Sequence, residues 1–130
     1  MSEPLAPAPV VLPFTGLNGP TPVAVGPGGA VYVGDYYNNR VVQLASSSFA
    51  ETELPFAGLN RPQSLAVDST GTVYVSDARG EVLTLPAGAT SQSKLADTGA
   101  EDPAGLAVDT GGNVYVVDSN NNRVLKLPAR

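Results

Sequence analysis

The chain repeats itself with a period of about 42 residues, and this limits its fold more than any other feature. "PTPVAVGPGGAVYVGDYYNNRVVQL" begins at Pro20, "PQSLAVDSTGTVYVSDARGEVLTL" at Pro62 and "PAGLAVDTGGNVYVVDSNNNRVLKL" at Pro103. The three align with one single-residue gap, and the first and third agree at 14 of 25 positions. A repeat of this length is one supersecondary unit that cannot bury its apolar surface alone, so neighbouring units must stack. The chain holds 14 Gly and 12 Pro, spread between Val-rich runs, a pattern of short strands and turns that excludes long helices.

Each unit reads as three strands, here termed A, B and C: Val23 to Val25, Val31 to Asp35 and Arg40 to Leu44 in the first copy. A fourth, outer strand D follows in "TELPF". In the A–B turns "DSTGT" and "DTGGN", Asp makes an Asx-turn and Gly supplies the positive φ; "GPGGA" does the same with Gly26 and Pro27. The strands "AVYV", "TVYV" and "NVYVV" offer apolar or aromatic side chains to both faces, so each sheet is covered on both sides. Four-stranded sheets sandwiched between their neighbours are the blades of a β-propeller.

Composition narrows function. With no Cys and no His, thiol catalysis, imidazole acid–base chemistry and His-ligated metals lose their side chains. A net charge of −5 has the wrong sign for gripping phosphates, which disfavours nucleic acid and anionic membranes. "GPGG" and "TGGN" resemble fragments of phosphate loops, but no helix follows either. No run of 18 apolar residues and no secretory signal occurs, so the expectation is a soluble chain. No catalytic residue, metal or cofactor is expected.

The pattern P-x-x-[VL]-A-V-D-x-x-G-x-V-Y-V-x-D-x-x-N-N-R-V-x-x-L, with "LPFTGLN" between copies, resembles NHL-repeat β-propellers. Within that family it resembles the six-bladed extracellular sensor domain of a mycobacterial receptor serine/threonine kinase and symmetric propellers designed from it. The likeness covers Val10 to Pro128. It departs where Gly26 replaces the Asp, where the second copy lacks "NNR", and where "KLADTGAED" stands for a third "LPFTGLN". The resemblance implies a ligand-binding module that is extracellular if it serves as such a sensor. Metal-dependent lyases and lactone hydrolases on six-bladed propellers are the less favoured reading, because their channel ligands commonly include His.

The fold expected is therefore all-β, with three four-stranded NHL-type blades per chain forming half of a six-bladed propeller. Residues 1–9 read as a flexible, Pro- and Ala-rich segment, and 10–130 as the half-propeller, with repeats at about 20–61, 62–102 and 103–130. Residues 10–19 supply a D strand before the first A strand, while nothing follows the last C strand. Val11, Leu12 and Phe14 would thus pair with Val124, Leu125 and Leu127 of a second copy, two chains closing one ring as a homodimer. Burying about 500 Å² of apolar surface per seam is worth on the order of 12 kcal/mol before association costs. The half-ring length and the position of the ends suggest an engineered or excised scaffold for studying repeat assembly.

The B–C and D–A loops share one rim of such a ring. Tyr36, Tyr37, Arg61 and Arg79 there are candidates for reading a peptide or glycan, against the plainer reading of a solvated hairpin tip. Asn38, Asn39, Asn120, Asn121 and Asn122 share that rim. Asp35 with Arg40, and Asp118 with Arg123, are expected to close their turns or, alternatively, to face a ligand. In the middle copy Glu81 stands where Arg is expected, so the pair at Asp77 reads as lost. Asp97, Glu101 and Asp102 form an acidic loop whose spacing does not match a calcium-binding loop. Asp68 and Asp109 lie on the opposite rim.

Overall fold

The computed structural model describes residues 7–100 and 102–129; the sequence expectations for residues 1–6 and for Glu101 lie outside them. Among these residues eleven strands run in three antiparallel meanders. The first blade contains β1 (Pro20–Val25), β2 (Val31–Asp35), β3 (Arg40–Leu44) and β4 (Glu51–Glu53), in that spatial order. The second contains β5 (Ser64–Val67), β6 (Val73–Ser76), β7 (Glu81–Leu85) and β8 (Ser93–Asp97). The third has three strands among the described residues: β9 (Gly105–Val108), β10 (Val114–Asp118) and β11 (Arg123–Leu127). The inner strands β1, β5 and β9 contact one another in sequence, so the blades fan around one axis. This is the propeller geometry that the repeat implied.

The strand limits follow local chemistry. All three A–B turns share one backbone frame: residues 26, 68 and 109 donate to the carbonyls of residues 30, 72 and 113 at 2.9–3.1 Å, and Gly29, Gly71 and Gly112 donate back at 3.1 Å. Those glycines sit at φ 86, 86 and 85°, a region costly for any residue with a Cβ. The outer strand of the first blade occupies 51–53 rather than the expected 52–56. Leu54 N–H adds one rung, to the Val41 carbonyl at 2.9 Å, and Pro55, which has no N–H, ends the ladder.

The cores lie between blades. Tyr32 and Val41 of the first blade pack against Leu65, Val73, Val75, Leu83 and Leu85 of the second. Val82 and Tyr74 of the second pack against Val114, Val116, Leu106 and Val108 of the third. Residues of one strand thus divide between two seams, which is why the sequence shows no polar face. Among the described residues no helix is long and apolar enough to cross a membrane.

Candidate binding rim and blade faces

Each blade buries one carboxylate at the end of its second strand. Asp35, Asp77 and Asp118 have no exposed surface, and an arginine meets each of them. Arg40 Nε lies 2.8 Å from Asp35 Oδ2, and Arg123 Nε 2.9 Å from Asp118 Oδ2. These two pairs close their B–C turns, with Asn38 Nδ2 and Asn121 Nδ2 donating to the same carboxylates at 2.7 and 2.9 Å. Asn18 N–H also donates to Asp35 at 2.7 Å, tying the incoming loop to the blade. Burial alone would push the Asp35 carboxyl up, but the donors Asn38, Asn18 and Arg40 outweigh it and hold the group below its ordinary value.

The middle blade corrects the sequence expectation that its pair is lost. Glu81 indeed stands at the usual Arg position, but Arg79, inside the turn, places Nη2 2.9 Å from Asp77 Oδ2. Asp77 also accepts the N–H groups of Arg79 and Glu81 at 3.0 and 3.3 Å. Both arginines then reach the same place on the loop arriving from the preceding outer strand. Arg40 Nη2 donates to the Gly16 carbonyl at 3.4 Å and Arg79 Nη2 to the equivalent Gly58 carbonyl at 2.9 Å. Arg79 is therefore committed to the framework and does not join a ligand-reading cluster.

Three of the four rim candidates do meet. Tyr36 and Tyr37 stand edge to face with ring centroids 4.9 Å apart, and the Arg61 guanidinium lies 5.8 Å from the Tyr36 centroid. The backbone puts them there: Tyr37 N–H donates to the Asn18 carbonyl at 3.1 Å, and Arg61 N–H to Asn39 Oδ1 at 2.8 Å across the seam between the first two blades. Tyr37 remains 61% exposed, its ring resting where a Cβ on Gly19 would stand. The cluster offers the Tyr37 ring, the uncovered part of the Tyr36 ring and a cation to solvent.

On the opposite rim, Asp68 and Asp109 build turns. Asp109 accepts from the N–H groups of Gly111 and Asn113, both at 2.9 Å, from the Asn113 amide at 3.0 Å and from the Tyr115 hydroxyl at 2.9 Å. Those donors, Asn113 foremost, draw its carboxyl down to about 2. Asp68 accepts from Thr70 and Thr72 N–H and from the Tyr74 hydroxyl at 2.9 Å; burial and this bond push the Tyr74 phenol up to about 12. Where Gly26 replaces the Asp, Tyr32 fills the space. Beside these turns lies a cleft of about 450 Å³ between the first two blades, lined by Tyr32, Leu54, Gly71 and Pro86. Its counterpart of about 350 Å³ between the second and third is lined by Tyr74, Leu95, Gly112 and Pro128. These clefts are not legible in the sequence, because each draws its walls from two blades. Among the described residues, no three His, Cys, Asp or Glu side chains converge; Asp97 ends β8 and Asp102 is exposed.

The outer face of the third blade is open and carries Lys126 beside Val124, whereas that of the first is open only along β1, because Val33, Val42 and Leu44 on the same face as Val23 are buried. Val41 and Val82 are fully buried, yet their counterpart Val124 is 64% exposed; Leu65 is 6% exposed, yet its counterpart Val23 is 65% exposed. Pro62 and Pro103 are buried in their seams, while the equivalent Pro20 is exposed. Val11, 93% exposed, and Leu12 form no strand here, and Phe14 is half-buried. Leu125 and Leu127 are half-buried on β11, whose outer edge has no strand partner among the described residues. Phe14 N–H nevertheless donates to the Leu12 carbonyl at 2.9 Å, as Phe56 does to Leu54 at 2.8 Å, so the two "LPF" segments share one backbone turn.

Comparison with known proteins agrees with this geometry. The NHL repeat family model matches residues 17–44 and 101–127, in the first and third blades. A search of curated protein sequences returned no match. Among solved structures, the chain superposes on a crystal structure of a nidogen/laminin complex with a TM-score of 0.71 at 22% identity, over 82% of this chain and 42% of that one. A streptogramin B lyase structure gives 0.69 at 18% identity, covering 85% and 38%, and the hydrazine synthase of Kuenenia stuttgartiensis 0.64 at 15%, covering 91% and 38%. The chain thus spans roughly two fifths of each of these structures. At such identities the likeness establishes the fold.

Proposed function

We propose that this NHL-repeat β-propeller chain is a non-catalytic binding scaffold, and that two copies close a six-bladed ring. The contrast between Val124 and its buried equivalents Val41 and Val82 carries the reading. A face built to be covered in two seams of the chain is left open at the third. Three blades cannot close, whereas six lie within the range of propellers. Two copies related by a two-fold axis bring the open face of each third blade against the exposed β1 of the other at two identical seams. The absence of His and Cys from the sequence, and the commitment of Asp35, Asp68, Asp77, Asp109 and Asp118 to framework hydrogen bonds, support a binding role over a lyase-like one. Native mass spectrometry tests the assembly: the expected species has twice the 13.2 kDa chain mass, and a monodisperse monomer at micromolar concentration overturns it.

The Tyr36–Tyr37–Arg61 cluster favours a second, compatible reading in which this rim binds a peptide or glycan, in the manner of the sensor propellers whose repeats this chain resembles. Binding to a panel of cell-wall glycans and acidic peptides, lost in Tyr37→Ala, tests it. Equal binding by Tyr37→Ala and the parent chain rules the cluster out.

A further inference from the structure

Resting on the ring reading, we propose that Asn122 is the polar key of the closing seam, accepting the Gly19 N–H of a second copy while that copy's Pro20 seats against Gly105 and Val117. The seam between the first two blades is the template. There Asn39, left-handed at φ 53°, accepts the N–H of Arg61, which is itself left-handed at φ 52°. The next residue, Pro62, is buried against Gly34, where an added Cβ would lie 3.1 Å from its ring. The seam between the second and third blades seats Pro103 in the same way, its carbonyl accepting from Ser64 and Ser76 hydroxyls at 3.0 and 2.8 Å.

The polar half of this device recurs at the open ends, whereas Val117 stands where the other two seams have Gly34 and Ser76. Asn122 is left-handed at φ 54°, matching Asn39, and exposed. Gly19 is left-handed at φ 67°, matching Arg61, so its N–H is aimed as that of Arg61 is. Pro20 follows Gly19 as Pro62 follows Arg61. Gly105 and Val117 occupy the places of Pro22 and Gly34 and pair directly in the sheet, with Val117 38% exposed. The middle blade has Gly80 in place of Asn, so the key belongs to the two blades that match the NHL repeat model. The occupant that fits is a second copy, because the exposed end of this chain carries the missing Gly–Pro pair and Val23 beside it.

The test compares Asn122→Gly with Asn39→Gly, since Gly keeps the left-handed backbone and deletes only the side-chain acceptor. Loss of one hydrogen bond at each of two seams raises the dimer dissociation constant about 100-fold, roughly tenfold per seam. Asn39→Gly lowers the melting temperature and leaves that constant unchanged. In the parent dimer the Gly19 amide is protected from hydrogen exchange, and Val117→Arg yields a folded monomer. A parent chain that stays monomeric overturns the ring reading and this inference with it. A dimer in which Asn122→Gly associates as tightly as the parent and Gly19 exchanges freely overturns the inference while the ring reading stands.

Discussion

Arg79 holds the buried carboxylate of Asp77 at 2.9 Å from only two residues away, where Arg40 and Arg123 reach Asp35 and Asp118 from five. The turn of the middle blade is one residue shorter, and its arginine has moved inside it. The charge balance under the rim is thus kept in all three blades although the sequence motif is kept in two. An unpaired carboxylate at this depth would face the cost of a buried charge without a partner.

Asp77→Ala is expected to destabilise the fold by about 1–3 kcal/mol, because the Arg79 and Glu81 N–H groups lose their acceptor in a buried site. Arg79→Ala leaves the Asp77 carboxylate buried without its cation and lowers the midpoint of urea unfolding by at least as much. The double change Arg79→Ala with Glu81→Arg, which restores the arrangement of the first blade, regains most of the loss. A double-mutant cycle by urea denaturation measures the coupling.

Two glycines at similar backbone angles separate local from tertiary cost. Gly88 sits at φ 77° with open space around it, so Gly88→Ala is expected to cost about 1 kcal/mol from backbone conformation alone. Gly80 sits at φ 82°, and an added Cβ would lie 2.6 Å from the Ala100 carbonyl oxygen, which is backbone and has no rotamer to change. Gly80→Ala is expected to cost at least about twice as much, with the difference read from thermal melts.

Acid stability follows from the depressed carboxyls. A carboxylate whose folded value lies below its unfolded one contributes fully above the unfolded value of about 4 and loses that contribution as pH falls through the folded value. For Asp109 the folded value is about 2, and Asp35 and Asp68 lie below their ordinary values as well. The melting temperature is therefore level near neutrality and declines on acidification from about pH 5 toward 2. Asp109→Asn shows a shallower decline. At the other extreme, Tyr74, held near 12 by burial and its bond to Asp68, supports the fold below about pH 10, and that support is lost as pH rises through 12. Ultraviolet titration is expected to show Tyr74 ionising late, with Tyr32 and Tyr115 also raised, and Asp68→Asn brings Tyr74 back toward 10.

Matched valine truncations measure how far the open face is used. Val41→Ala removes two buried methyl carbons from an internal seam and is expected to cost about 2 kcal/mol. Val124→Ala in an isolated chain costs almost nothing, because Val124 is exposed there. In a closed ring Val124 lies in a seam as Val41 does, and its truncation costs a comparable amount, visible as lower stability of the dimer by calorimetry at fixed chain concentration.

The sequence alone determined the repeat, the all-β propeller class, the first blade's strands from Val31 to Leu44 to the residue, and the A–B turns. Those features rest on interactions within about five residues: an Asp and the N–H groups two and four places on, a Gly at positive φ, a Val–Tyr–Val run. It also placed Tyr36, Tyr37 and Arg61 on one rim, since meander topology sorts loops by parity. Tertiary structure alone decided that Arg79 replaces the missing arginine at Asp77, that Arg61 joins the tyrosines while Arg79 does not, and that Pro62 of the second blade packs against Gly34 of the first. It also decided that each seam needs an Asn, Gly or Pro contributed by the neighbouring blade. Apart from the Arg79–Asp77 pair, which lies within one turn, each of these depends on two segments about 20 to 40 residues apart meeting at a seam, and the composition of either segment carries no record of what its neighbour presents across the gap.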